Sequence, residues 1–347
     1  MNLAGIKSTI LLMALSGTGF AQTTLHTTST LVVVPTLVQT PGKELVFSLK
    51  ADDFTLTDNG VPQKVMLEDE SSRPLSLVVL MQTGGAARGQ FPNYANLETM
   101  IAAILGDAPD KIPGDTPNKV SIVNFDSRME GASPFTSDVA QWSDAINHPD
   151  PGNSGAAILD GLAYAIGLLK QQPANTRRAI LLISQEHDDG SSTQMKDIVR
   201  DLGETNTAVY SVTFSAEKTT FRQALKSPAR PHPPITINPA AGSFLGYFDL
   251  TTPLDVALGA MHKNIAAEIA ALSGGEASSF DNRNELAADL GVLTNHILNS
   301  YMLSFYPTST KPGLHTIRVG LAHHPELLIS ARSSYWLDDS AKSETKH

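Results

Sequence analysis

The sequence predicts an α/β protein with a doubly wound, mainly parallel sheet and a small β subdomain formed from the two ends of the chain. Apolar runs typical of strands buried on both faces alternate with stretches whose apolar residues recur at helical spacing. This alternation indicates βαβ units and helices on both faces of the sheet. Both flanks, residues 22–72 and 301–337, instead have short alternating runs typical of half-buried strands.

Residues 1–21 have the pattern of a secretory signal peptide. Lys7 precedes a short apolar run, and small residues follow up to Ala21. The apolar run is far shorter than the roughly 20 residues that span a bilayer. We therefore expect an exported protein, either periplasmic or secreted, with no membrane span. The chain has no cysteine, so we expect burial rather than disulfides to stabilise it.

The charge balance argues against one class of partner. The formal net charge is −10, from 25 Lys and Arg against 35 Asp and Glu. Nucleic-acid binding relies on clustered basic residues that neutralise phosphates, and we find no such cluster. We expect no nucleic-acid partner.

Residues 22–72 are predicted to form the N-terminal β region. A largely β-branched run covers residues 31–34, and Phe54 and Leu56 alternate with polar neighbours. Asn59-Gly60 then predicts a hairpin, because both residue types accept the positive φ that tight hairpin turns require.

Residues 73–300 carry the α/β alternation. Strands are predicted at 75–81, 119–125, 179–183 and 208–214, with amphipathic helices between them. Five prolines crowd residues 215–252, which we interpret as a surface excursion. Two further helices are expected, one with its apolar face from Leu254 to Ile269 and one from Leu286 to Ile297.

Residues 301–337 are predicted to be β again, and residues 338–347 a disordered tail. Isolated hairpins are only marginally stable, so we expect this region to pair with residues 22–72. The pairing would pack one group of apolar side chains against another: Val32, Val34, Phe54 and Leu56 against Ile317, Val319 and Ile329.

The order of these segments resembles the von Willebrand factor A-related proteins described from acidobacteria. The resemblance spans most of residues 30–337 and rests on order and spacing rather than on one motif. The matching pieces are 53–63, 77–85, 120–125, 135–138, 178–184, 271–275 and 301–307. The resemblance implies a doubly wound fold that binds ligands at the carboxyl ends of its strands. In the wider family that edge holds Mg²⁺ in a metal-ion-dependent adhesion site, and a carboxylate of the partner often completes the metal's shell.

The sequence departs from that metal-binding pattern at the expected ligand positions. Gln82, Gly84 and Ala86 stand where the family has Asp, Ser and Ser, while Ala156 replaces a Thr and Gln185 a second Asp. Neutral amides compensate poorly for dehydrating Mg²⁺, so we interpret the metal site as lost. The candidate binding edge is therefore a degenerate one: Gln82, Thr83, Gly84, Ala86, Ala156, Gln185, Glu186 and Asp188.

Several side chains near this edge admit a second interpretation. Glu186, Asp188 or Asp189 could still reach a weakly bound cation, although a solvated polar loop is the simpler explanation. Gly84-Gly85 lacks the rest of a nucleotide-binding motif and is better explained as a turn. Ser154 does not lie in a Gly-x-Ser-x-Gly nucleophile motif, because Ala156 follows it where the second glycine is needed, and it is expected to cap the following helix.

The pattern favours an exported, non-catalytic protein-binding or scaffold module that uses no cofactor and no metal. We find no arrangement of residues typical of a catalytic site. The partner is expected to be an unidentified protein. Two alternatives remain open: a structural component of an envelope assembly, and a hydrolase with an unrecognised site.

Overall fold

The computed structural model describes residues 31–68, 73–106, 117–216 and 264–337. Several predicted segments lie outside these ranges: the signal peptide at 1–21, the excursion from residue 217 onward, and the tail at 338–347. The part of the following helix predicted around Leu254 and Leu258 is outside them as well.

The described residues form fourteen strands and six α-helices. The strands are β1 Val32–Gln39, β2 Phe54–Asp58, β3 Val61–Pro62, β4 Met66–Leu67, β5 Leu75–Gln82, β6 Lys119–Phe125, β7 Met129–Ala132, β8 Arg177–Gln185, β9 Thr207–Phe214, β10 Ala277–Ser279, β11 Tyr301–Phe305, β12 Gly313–Leu321, β13 Leu328–Ala331 and β14 Ser334–Leu337. The helices are α1 Leu97–Leu105, α2 Ser143–Asn147, α3 Ile158–Lys170, α4 Met195–Thr205, α5 Ile265–Ser273 and α6 Arg283–Leu298.

A six-stranded central sheet has the order β10-β9-β8-β5-β6-β7. All its neighbouring strands run parallel except β6 and β7, which are antiparallel. Every residue of β5 is buried, as expected for a strand covered on both faces. The predicted fold class is confirmed, and the strands predicted at 75–81 and 179–183 occupy the two middle positions.

Helices cover both faces of the central sheet because alternate β5 side chains point to opposite sides. Val79 and Met81 pack with α1, α2 and α6, whereas Val78 and Leu80 pack with α3, α4 and α5. The result is a three-layer arrangement in which the carboxyl ends of the parallel strands share one edge.

The two ends of the chain form a second body, the terminal sandwich. One sheet has the order β13-β1-β11-β4 and the other β14-β12-β2-β3, so each combines strands from both ends. Val32, Val34, Phe54, Leu56 and Ile317 lie in one buried cluster, with Val319 packed against it. The predicted β subdomain is confirmed, although Ile329, which pairs with Val38 of that cluster, does not itself belong to it.

The hairpin predicted at Asn59-Gly60 is also present. Asn59 has φ 47° and Gly60 φ 82°, and the turn joins β2 to β3. Two consecutive positive φ values match the right-handed twist of the flanking strands, which explains why these residue types occur here.

Arg332 fastens the terminal sandwich to the central body. Its buried guanidinium donates to the carbonyls of Val33 and Ser334 and to the side-chain oxygen of Asn206, at 2.6–3.1 Å. Asn206 has φ 51° and ends α4. Burial lowers the pKa of Arg332 to about 10. The cation therefore joins β1, the segment before β14 and the end of α4.

In the part of the chain that the structure describes, no helix is both long and apolar enough to cross a membrane.

Candidate functional site

Three loops cover the carboxyl edge of the central sheet. The Thr83 N–H donates to the last carbonyl of β6 (2.8 Å), and the Gly85 N–H donates to the carbonyl of Asn153 (2.7 Å). Ala156 and Asp189 exchange backbone hydrogen bonds of 3.1 and 2.9 Å. The structure thus brings together the segments after β5, after β8 and before α3, as their positions relative to the strands predict.

Gln82 and Gln185, the last residues of β5 and β8, bond directly to each other. The Gln82 side-chain amide donates to Oε1 of Gln185 (3.1 Å), and the Gln185 backbone N–H donates to Oε1 of Gln82 (2.8 Å). The remaining amide donors reach the carbonyls of Gly84 (3.0 Å) and His187 (2.8 Å). Since Gln82 is fully buried, this closed set of bonds satisfies its polar groups without a ligand.

Glycines let the loops pack against each other more closely than side chains would allow. A Cβ on Gly84 would lie 2.4 Å from the carbonyl oxygen of Gly155 and 2.6 Å from Cβ of Asp126. A Cβ on Gly152 would also lie 2.6 Å from Cβ of Asp126, and one on Gly155 would lie 2.7 Å from Cβ of Ser127. The edge is therefore filled by backbone rather than left open as a cleft.

Asp126 is a buried carboxylate of this edge that the sequence analysis did not identify. Its two side-chain oxygens accept hydrogen bonds from the backbone N–H groups of Arg128 (2.7 Å) and Asn153 (2.8 Å). Its backbone carbonyl accepts a hydrogen bond from the N–H of Ala157 (2.8 Å). It fixes the loop after β6 against the segment before α3. The signal was present in the sequence, because Asp126 directly follows the buried strand predicted at 119–125.

Asp188 caps α3 from a different loop. Its Oδ1 accepts the backbone N–H of Leu159 (3.0 Å) and the hydroxyl of Ser191 (2.6 Å). The prediction that Ser154 caps this helix is wrong, because α3 begins later, with Ala157 at the N-cap and no side-chain cap bond of its own. A carboxylate near a helix N-terminus is electrostatically favourable, and here Asp188, rather than Ser154, caps the helix.

The other residues of the predicted edge lie around this core. Thr83 is buried, and its hydroxyl donates to the carbonyl of Phe125 (3.2 Å). Ala86 is half-buried in a short 3-10 helix, Gly85–Asn93, and Ala156 is buried. Glu186 is half-buried, and its carbonyl accepts the N–H that starts α5 (2.9 Å).

Negative charge gathers on the rim of the edge. Burial, followed by the charges of Asp126 and Asp150, raises the pKa of Glu130, and the nearby polar side chain of Thr83 opposes the rise. These carboxylates are not placed as a ligand set. Among the described residues, no group of three or more His, Cys, Asp or Glu side chains could hold a metal ion.

The residues at this edge do not fit the Mg²⁺ that the family resemblance implies. The two positions that should be anionic are amides, and both of their side-chain oxygens already accept hydrogen bonds. The nearest carboxylates, those of buried Asp126 and half-buried Asp188, accept hydrogen bonds from backbone N–H groups. A hard cation would have to break these bonds to gain oxygen ligands at close range.

Comparison with known proteins agrees with the fold. Residues 77–190 match the model of the von Willebrand factor type A domain. A search of the curated proteins gives no match. BatB, described as a conserved hypothetical protein from Bacteroides thetaiotaomicron, is 15% identical and has a TM-score of 0.40, covering 64% of this chain and 97% of its own.

Two further solved structures are similar to this chain. An aerotolerance-related membrane protein from Bacteroides fragilis NCTC 9343 is 17% identical with a TM-score of 0.39, covering 64% of this chain and 98% of that one. The vWF domain of the type V pili tip protein Mfa5 from Porphyromonas gingivalis is 16% identical with a TM-score of 0.30, covering 34% and 39%. The chain is thus similar to the von Willebrand factor type A domain over the span, residues 77–190, that carries the candidate edge.

Proposed function

We propose that this protein is an exported, non-catalytic protein-binding or scaffold module whose carboxyl edge works without a metal ion. The mutual bonding of Gln82 and Gln185 carries the proposal. The family resemblance puts anionic metal ligands at these two positions, and here two neutral amides satisfy each other instead. The edge is then a rigid, preformed surface rather than a metal centre.

Energetics favour this interpretation. Mg²⁺ gives up its water reluctantly, and its sites depend on carboxylates. An amide pair offers no net charge to offset that dehydration. Freeing Oε1 of Gln82, which is fully buried, would break its bond with the backbone N–H of Gln185, and leaving a buried polar group unsatisfied costs about 1–3 kcal/mol.

The hydrogen bonds of the nearby carboxylates support a non-catalytic role. Asp126 and Asp188 both serve as acceptors for backbone N–H groups, which places them in the framework of the loops. A general base must instead be within reach of the proton that it removes from a substrate. Export rests on the signal-peptide pattern of residues 1–21, and the partner remains an unidentified protein.

A capture experiment tests the proposal. The mature chain, tagged at its C-terminus, is incubated with envelope extract in buffer containing either EDTA or millimolar Mg²⁺, and bound proteins are identified after crosslinking. We expect the same partner in both buffers. Asp189→Arg, which reverses an exposed charge at the edge, should weaken capture, whereas Glu326→Arg on the terminal sandwich should not.

Two results would contradict the proposal. If capture requires Mg²⁺, the carboxyl edge binds its partner through a metal ion. If no protein is enriched over an unrelated tagged control, the proposed protein-binding role is wrong.

A further inference from the structure

A cavity of about 630 Å³ lies between the terminal sandwich and the central body. It is at the amino ends of the parallel strands, because Arg73 and Asn118 lie just before β5 and β6 and Arg177 begins β8. The candidate edge is at the opposite, carboxyl ends of the same strands. Small-ligand sites have volumes of roughly 300–1,000 Å³, so the cavity has the size of such a site.

Part of the cavity wall is apolar, with side chains from three segments: Phe47, Leu67, Leu298 and Met302. Phe47 is 63% exposed, although its segment is held on both sides. The Val46 N–H donates to the carbonyl of Val38 (3.0 Å), and the Leu49 N–H donates to the hydroxyl of Tyr301 (3.1 Å). An aromatic ring on a fixed segment loses little freedom when a ligand covers it, which favours binding there.

Positive charge gathers beside this apolar wall, although the whole chain has a formal net charge of −10. Arg73 and Arg177 both line the cavity. Burial, followed by the charge of Arg73, lowers the pKa of Arg178, so a third cation lies close by. Guanidinium groups bind carboxylates and phosphates through paired hydrogen bonds, so an anion is the ligand that suits this part of the cavity.

Arg73 keeps most of its hydrogen-bonding capacity. Its Nε donates to the carbonyl of Asn175 (3.3 Å), and its guanidinium makes no other hydrogen bond or ion pair with a described residue. The end of α6 also borders the cavity, but its carbonyls have donors of their own. The side-chain amide of Asn299 donates to the carbonyl of Asn295 (2.8 Å), and the Ser300 hydroxyl donates to that of His296 (2.7 Å).

Glu68 limits the charge that a ligand can bring. Of the described residues that line the cavity, it carries the only carboxylate, and this group accepts the hydroxyl of Ser304. A ligand with two negative charges would be repelled by Glu68 more strongly than one with a single charge. A carboxylate therefore fits better than a phosphate monoester, which carries a charge of about −1.5 to −2.

We propose that this cavity binds an apolar carboxylate, with the guanidinium of Arg73 on the carboxylate and the ring of Phe47 against the apolar part. Arg177 adds positive charge to the same cavity. A free organic acid and the carboxyl terminus of a peptide share this chemistry. The site does not depend on the proposed function, because the cavity and the candidate edge lie at opposite ends of the central sheet.

Isothermal titration calorimetry of the full-length mature protein tests the site. Decanoate has a carboxylate and an apolar chain, decyltrimethylammonium has the same chain with a positive charge, and acetate has the carboxylate alone. We expect saturable binding of decanoate, one molecule per chain, and no saturable binding of the other two at the same concentrations.

A second titration distinguishes the sources of the ligand. The peptide acetyl-Ala-Leu-Phe is used with a free carboxyl terminus and as its amide, and only the free acid should bind. Tighter binding of this peptide than of decanoate would identify a chain terminus as the ligand, and weaker binding would identify a free organic acid. Either result supports the site.

Variants at the surface of the cavity locate the bound carboxylate. Arg73→Gln should weaken decanoate binding about tenfold through loss of a charge-assisted hydrogen bond, and Phe47→Ala should weaken it several-fold through loss of apolar contact. Arg318→Gln and Tyr306→Ala are the matched controls, because both residues are exposed and lie outside the lining of the cavity. They should leave the affinity unchanged, and melting curves check that all four variants fold.

Three results would each overturn the proposal. The first is no saturable binding of decanoate or of the peptide acid. The second is equal binding of decanoate and decyltrimethylammonium. The third is wild-type affinity for decanoate in both Arg73→Gln and Phe47→Ala.

Discussion

Substitution of Gly84 by alanine tests whether the loops of the carboxyl edge are packed without spare room. Gly84 has φ −82°, which any residue can adopt, so the backbone itself opposes no side chain. The added Cβ would lie 2.4 Å from the carbonyl oxygen of Gly155, where real contacts are above 3.0 Å. That carbonyl must move by more than half an ångström in a segment held by hydrogen bonds to Asp126 and Asn153.

Overpacking of this kind costs about 1–3 kcal/mol. The matched control is Gly167→Ala in α3, where nothing lies within 4 Å of the new Cβ. Removing a glycine from a helix interior should stabilise the protein by about 0.5–1 kcal/mol. The two variants should therefore move the free energy of unfolding in opposite directions.

Urea denaturation followed by the fluorescence of the buried Trp142 measures both effects. We expect a lower midpoint for Gly84→Ala and a higher midpoint for Gly167→Ala. If Gly84→Ala is as stable as wild type, the loops have space for the added Cβ, and the description of a filled edge is wrong.

Three further predictions concern the framework around the edge. Val79→Asp should abolish soluble expression, because Val79 is fully buried on a central strand; a soluble variant with wild-type melting would contradict the sheet order. Asp188→Ala should lower the free energy of unfolding by about 1 kcal/mol through loss of the cap on α3, as urea denaturation would measure, whereas His187→Ala at the exposed neighbour should not. Deleting residues 308–347 removes β12, β13 and β14, so limited proteolysis should cut the N-terminal strands while the central sheet stays protected; unchanged protection of residues 31–68 would show that the two ends do not depend on each other.

The order of the strands and helices was predictable because buried positions recur with the period of each element and are occupied by apolar residues in the sequence. β5 and β8 are apolar runs because both of their faces are covered, and α3 repeats its apolar residues at helical spacing. The positive φ values of the turn at Asn59-Gly60 restrict which residues can occupy it, so the residue types alone indicated the hairpin.

Contacts made by residues distant in the sequence were not predictable in the same way. The cap on α3 comes from Asp188, which accepts a hydrogen bond from the N–H of Leu159, 29 residues earlier in the chain. No local sequence pattern predicts a contact over that separation. Ser154 has the residue type of a cap but lies one turn too early. The bond between Gln82 and Gln185 likewise depends on the register of β5 against β8, and the sequence showed only that both metal-ligand positions held amides.

The buried contact between Asp58 of β2 and His315 of β12 illustrates the same limit. The two residues are 257 positions apart, and the Asn59-Gly60 motif beside Asp58 indicates a turn but not the partner of its side chain. The sequence predicted that the two ends of the chain would pair, but the partners inside the sandwich follow from the strand register, which one residue of slip would change for every side chain.

Metal binding by the wild-type protein is the most direct test of the central claim. Melting temperature is measured with EDTA and then with increasing Mg²⁺, Mn²⁺ and Ca²⁺, each up to several millimolar. A site filled to about 100 times its dissociation constant would add about 2.7 kcal/mol of stability, which such a measurement resolves easily. We predict no saturable shift, because the amides of Gln82 and Gln185 bond to each other. A saturable rise in melting temperature that Gln185→Ala abolishes would contradict the account and restore a working metal site at this edge.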